Sequence, residues 1–153
     1  GLCLGVKMKR KVKWCLLLGW MIVIFLFSHQ TGQQSSESSG LVEKLFSIFP
    51  FLPDQILGVE LHFLIRKAAH FTEYFILYLL MFSVFIDYAV LRRVLLYTLF
   101  GVFLYACTDE WHQLFVPGRV GSFKDVCIDT AGGTLAMGLI LLSYYIQIKH
   151  KRA

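Results

Sequence analysis

The stretch RKAAHFTEYFILYLLMFSVFI, residues 66–86, carries the reading of the fold. Its body is a nearly unbroken apolar run, and about 20 such residues make a helix that crosses a bilayer. Its head sets Arg66, Lys67, His70, Glu73 and Tyr74 at and just inside the boundary of that run. A charge at the centre of a span costs roughly 2.5–3.5 kcal/mol on insertion scales, so polar residues held at membrane depth point to a task. Two further stretches, DEWHQLFVPGR at residues 109–119 and FKDVCIDTAGG at residues 123–133, repeat this juxtaposition at the ends of other apolar segments.

Working outward, length and composition describe one membrane domain: 57% of the 153 residues are hydrophobic and 16% charged, the charges sitting at segment boundaries. Four spans are expected, at about residues 14–27, 68–86, 94–115 and 126–148, within a domain covering residues 13–148 and preceded by a basic segment, residues 1–12. The fold class is all-α, a four-helix transmembrane bundle.

The net charge of +5 is distributed in a way that orients the chain. Lys7, Lys9, Arg10, Lys11 and Lys13 precede the first span, Arg92 and Arg93 separate the second from the third, and Lys149, Lys151 and Arg152 follow the fourth. Every acidic residue except Asp87 lies toward the opposite side. The bias of Lys and Arg places both termini in the cytoplasm, and an even number of spans agrees. No basic surface alternates with base-stacking aromatics, so nucleic acid is not an expected partner.

The first span also fits the description of a secretory signal peptide, but Ser28-His29-Gln30 after it makes a poor cleavage site. Residues 1–7 read as an extension ahead of an ordinary start at Met8. Residues 28–40 are a polar linker in which Ser28 and Gln30 sit where a span emerges and can face a polar site. Residues 41–66 mix apolar positions with Glu43, Lys44, Glu60 and His62 and contain Pro50 and Pro53. They read as amphipathic helical segments along the outer interface, the second running into the second span. Cys3, Cys15, Cys107 and Cys127 show no CxxC pairing, which gives a zinc site little support.

Residues three and four apart share a helix face. His70, Glu73 and Tyr74 therefore form one stripe, Tyr105, Asp109, His112 and Gln113 a second, and Asp125, Asp129, Gly132 and Ala136 a third. Glu110 points about 100° from its stripe. Exposing these stripes to lipid would be costly, so they are expected to face one another.

The pattern RKxxHFxEY, then DExxQxFxPGR, then KDxxxDxxG, after an SxQ segment, closely resembles the VanZ-like family of small bacterial membrane proteins. The resemblance runs from about Lys13 to Leu142 and implies a multi-pass protein of the bacterial cytoplasmic membrane, linked to the cell envelope. The family is named for a member associated with teicoplanin resistance and has no settled biochemical activity. Its characteristic residues fall here on Lys67, His70, Glu73, Tyr74, Asp109, Glu110, Gln113, Arg119, Asp125, Asp129 and Gly132; His112 is not among them.

Three readings compete. In one, Arg119, Lys67 and Lys124 neutralise Asp109, Asp125 and Asp129 while His70 pairs with Glu73, because buried charges need partners. In the second, Lys67, His70, Tyr74, Asp109, Gln113, Arg119, Asp125 and Asp129 line an outward pocket for a membrane lipid, a lipid-linked cell-wall precursor or a glycopeptide, with cationic groups on its phosphate or carboxylate. In the third, His70, Glu73, Asp109 and Glu110 are candidate acids and bases of a hydrolase or transferase. No cofactor is expected, although carboxylates with His70 are also donors for a divalent metal. No Ser-His-Asp order or phosphate-binding loop occurs, and the polar groups stop near one side, which argues against transport. Recognition is the leading expectation.

Overall fold

The structure is a computed structural model that describes residues 8–31, 33, 37, 55, 56 and 59–152. Among these residues it is helical apart from one small ladder. The helices are α1 (Arg10–Ser28), α2 (Leu61–Phe85), α3 (Leu91–Gln113) and α4 (Phe123–Arg152). All four are long and apolar enough to cross a membrane. Each begins earlier than its apolar run. Lys and Arg are good helix formers, so charge marks where a span leaves lipid, not where its helix starts.

The amphipathic segment expected at residues 41–54 lies outside the described residues, as do residues 1–7 and most of the polar linker. From residue 55 onward the expected interfacial helix gives way to a short antiparallel ladder, in which Gln55 pairs with Glu60 and Ile56 with Val59. The expected continuity with the second span holds, since α2 starts directly after the ladder at Leu61.

The bundle is built around α2 and α4, which pack most extensively on each other. Their closeness has a specific source. A Cβ on Gly132 would lie 2.2 Å from the carbonyl oxygen of Phe71, so only a hydrogen fits where the two backbones meet. Ala136, one turn on, is fully buried in the same seam. Small residues at this spacing are what lets membrane helices approach closely.

Tyr74, Leu77 and Tyr78 form the buried stripe of α2, and Val94, Val102 and Ala106 that of α3. The Tyr78 hydroxyl donates to the Leu95 carbonyl at 3.1 Å, giving the one polar atom of that ring a partner inside the core. Helix α1 is peripheral, burying Leu17, Ile24 and Ser28 on a single stripe. The outer faces carry exposed Leu, Ile and Phe, among them Ile22, Leu26, Leu96, Phe100 and Leu142, as lipid contact demands.

Two connections set the ends. Where α2 turns into α3, Lys13 of α1 donates to Asp87 at 2.7 Å, and Arg10 stacks on Tyr88, 5.5 Å from the ring centroid. This end also holds the start of α1 and the end of α4. At the other end, Val116 to Arg119 make a β-turn closed by the Arg119 N–H on the Val116 carbonyl at 3.1 Å. Gly118 has φ 73° and Pro117 precedes it, which is the type II arrangement.

Candidate functional site

The three polar stripes converge at the end of the bundle opposite the termini. From α2 come Lys67, His70, Glu73 and Tyr74; from α3 come Asp109, Glu110 and Gln113; from α4 come Asp125 and Asp129. Asp109 is 4% exposed and Asp129 fully buried. Helix α1 adds Ser28, also fully buried.

Gln113 is the hub on α3. Its side-chain nitrogen reaches Ser28 Oγ at 2.9 Å, Glu110 at 3.2 Å and Asp109 at 3.4 Å. With two N–H groups for three acceptors, it ties α1 to the acidic pair. The other Glu110 oxygen accepts the Ser122 N–H at 2.8 Å. Glu110 is therefore not turned away as its helical angle suggested. The chain leaving α3 folds back over that side, so two faces of α3 are buried and both carboxylates point inward.

Lys67 pairs with Asp125, as one expectation had it. His70 lies 3.8 Å from Glu73 Oε2 and 3.9 Å from Asp129 Oδ1 through the same nitrogen, Nδ1. These are ion-pair separations rather than hydrogen bonds. The buried His70 Nδ1, Glu73 Oε2 and both Asp129 oxygens have no hydrogen-bond partner.

Arg119 departs from expectation. It does not neutralise Asp109 or Asp129. Its Nε donates to the Gln30 carbonyl at 3.1 Å and its Nη2 to the Phe27 carbonyl at 3.5 Å. The end of α1 presents unpaired carbonyls and the negative pole of the helix, and the guanidinium caps it. Burial, and then the like charge of Arg66, push the Arg119 guanidinium down from its usual range. Lys124 likewise forms no ion pair among the described residues.

His112 stands apart from the acidic cluster. Its Nε2 is 3.1 Å from His29 Nδ1; the His29 ring stacks with Phe25, and the His112 ring lies tilted against it, centroids 4.7 Å apart. This pair borders a groove of about 380 Å³ between α1 and α3, lined by Phe25, Tyr105, Thr108, Asp109, Trp111, His112 and Phe115. The groove is thus aromatic along its length and meets the polar cluster at Asp109.

Sequence reading missed the contacts that end on main-chain atoms. Tyr105 donates to the Met21 carbonyl at 2.7 Å and Trp20 to the Glu73 carbonyl at 2.9 Å. Side-chain patterns carry no signal for such acceptors. His29, in contrast, stood beside Ser28 and Gln30 and was visible as a polar residue at the mouth of a span. Cys15, Cys107 and Cys127 are free thiols.

The arrangement combines a histidine, several buried carboxylates and an adjoining apolar groove, supported on helices that themselves belong in a bilayer. No curated protein and no solved structure matches the chain. The order and spacing of these same polar residues nevertheless fall within a recognised family, for residues 13–144 match VanZ/LLP1, and the chain belongs to that family.

Proposed function

We propose that this multi-pass membrane protein recognises a lipid-borne molecule of the bacterial cell envelope at the outer face of the cytoplasmic membrane, and thereby lowers sensitivity to glycopeptides such as teicoplanin. The observation that carries recognition is the groove between α1 and α3, whose aromatic walls lead from lipid to Asp109. An acyl or polyprenyl chain exchanges bulk lipid for flat aromatic faces there, and Trp and Tyr suit the interfacial level at which a head group emerges. Arg119, whose guanidinium is pushed down by burial and then by the like charge of Arg66, and Arg66 itself, neither in an ion pair among the described residues, supply charge for a phosphate. The link to glycopeptides rests on the family resemblance.

Orientation follows from the basic residues gathered at the terminal end, which favour the cytoplasm. A cysteine introduced at Ser36 should react with an impermeant thiol reagent in intact cells, while one at Arg93 should not. Equal labelling would overturn the orientation. For recognition, a phospholipid bearing a photoreactive group on its chain should crosslink to the wild-type protein in membranes. Trp111→Ala with Phe115→Ala should reduce that yield severalfold, and teicoplanin sensitivity should rise in step. Undiminished crosslinking in the double variant would remove the groove from the proposal.

A second reading, a membrane-embedded hydrolase or transferase, is favoured by one observation. His70 Nδ1 stands between two carboxylates without a hydrogen bond to either, an arrangement open to proton transfer on a bound substrate. Cells expressing the wild type should then accumulate a lipid product absent with His70→Gln. Identical lipid profiles at matched expression would leave recognition alone.

A further inference from the structure

We propose that His70, Asp109 and Asp129 form a binding site for one divalent transition-metal ion of the manganese or zinc kind. Each residue offers one ligand atom, and these atoms all lie within 4.8 Å of one another although they come from three different helices. Metal–ligand bonds of about 2.0–2.2 Å put donor atoms at most about 4.4 Å apart across the ion. Side-chain rotations of less than about an ångström close the shell on a cation.

The second observation is Asp129 itself. It is fully buried, and neither carboxylate oxygen has a hydrogen-bond partner. Nearly all buried polar groups in proteins are satisfied, so two bare oxygens on one fully buried carboxylate mark a place where a ligand belongs. His70 Nδ1, facing them at 3.9 Å, is bare as well.

The local charges agree. Lys67 is engaged with Asp125, and Arg119 donates to the carbonyls of α1 rather than to these carboxylates. Among the described residues no Lys or Arg lies within ion-pair distance of Asp109 or Asp129. A cation of another kind completes the cluster. Imidazole with carboxylates suits zinc, iron or manganese, whereas a purely oxygen shell suits magnesium or calcium. Gln113 bonds Asp109 from behind, the kind of support that orients ligating carboxylates. Glu73, 3.8 Å from His70, is placed to join as a fourth donor or to hold the imidazole. Gly132, one turn from Asp129, brings α4 against α2 closely enough for that carboxylate to face His70. The site shares Asp109 with the groove, but metal binding is measured without lipid, so its failure and the failure of lipid recognition are distinguishable.

The test uses the full chain, purified in detergent with an affinity tag that contains no histidine. After chelator treatment and dialysis, the protein is titrated in separate arms with Mn2+, Zn2+ and Mg2+. Bound metal is measured by elemental analysis and stability by thermal unfolding. About one equivalent of Mn2+ or Zn2+ should bind and raise Tm, with Mg2+ much weaker. Asp129→Asn and His70→Gln should each weaken binding by at least tenfold, while Lys13→Ala leaves it unchanged. Should Asp129→Asn not fold, Co2+ added to the wild type decides, because an ordered His-carboxylate site gives visible d–d absorption. No stoichiometric binding, no shift in Tm and no Co2+ spectrum would overturn the proposal. So would binding that is lost with His29→Ala and kept with Asp129→Asn, since the ion would then sit on the His29–His112 pair.

Discussion

The two ends of the bundle handle polar residues differently. At the end holding the termini, Lys13 meets Asp87 at 2.7 Å, Arg10 lies over Tyr88, and Trp14 donates to the Tyr88 hydroxyl at 3.3 Å. These charges are partly exposed and locally matched, and they need nothing further. At the opposite end the acidic groups outnumber their side-chain cations, lie deeper, and include atoms with no partner. A bundle that needed only anchoring could use the simpler arrangement twice. Retaining unsatisfied charged groups lowers stability, and among the described residues those with bare buried atoms, His70, Glu73 and Asp129, all lie at this end, which separates a site from a fastening.

The largest test of this contrast is steric. Gly132→Val places side-chain atoms against the Phe71 backbone beside the cluster, and it should destabilise by about 3 kcal/mol or more, with little folded protein recovered. Gly138 has nothing within 4 Å of an added Cβ, so Gly138→Val in the same helix should differ from wild type by at most about 0.5 kcal/mol. Thermal unfolding in detergent compares them, and a well-folded Gly132→Val would refute the account of the α2–α4 seam.

Next in size is charge. Lys67→Met should cost about 2–3 kcal/mol by leaving Asp125 half-buried and alone, and adding Asp125→Leu should recover most of it. The matching Lys13→Met and Asp87→Leu pair should show a coupling of at most about 1 kcal/mol. Equal couplings at the two ends would erase the distinction drawn between them. Tyr105→Phe removes one bond to the Met21 carbonyl and should cost about 1 kcal/mol. A cost indistinguishable from zero would mean that bond does not hold α1.

The smallest expected change in stability is the most telling. In chelator-treated protein, Asp129→Asn should be as stable as wild type, or about 1 kcal/mol more so, because a buried carboxylate without a partner is replaced by a neutral group of the same shape. The same variant should abolish the glycopeptide phenotype at matched expression. A variant whose stability and phenotype fall together would reduce the cluster to a staple.

Much of this was legible in the residues. Hydropathy marks the four spans because lipid requires apolar side chains wherever a helix faces it. Spacing marks the stripes because His70 and Glu73, or Asp109 and Gln113, can share a face only on a helix. The partners were harder to read. Arg119 looked like the counter-charge of Asp109, but it binds the Phe27 and Gln30 carbonyls, and every residue offers a carbonyl, so no letter marks the chosen ones. Glu110 was assigned to another direction because a helical angle says nothing of how many neighbours surround the helix. The ladder at Gln55–Glu60 was hidden for a related reason: short polar-apolar mixtures fit a strand as well as an interfacial helix.

The fastening of α1 has a consequence for how the chain is assembled during synthesis. Its described hydrogen bonds and ion pairs to other elements all run to residues at least 53 positions later, and the last of them, to Arg119, spans 92. At about 5–20 residues per second, translation separates Phe27 from Arg119 by roughly 5–20 seconds. Until α2 follows it, α1 has no partner helix in lipid, and its last latch waits for the whole of that interval. The helix is suited to wait there, for its mean hydropathy of 1.8 is the highest of the four spans. The first helix made thus receives its final latch only as the α3–α4 turn is synthesised.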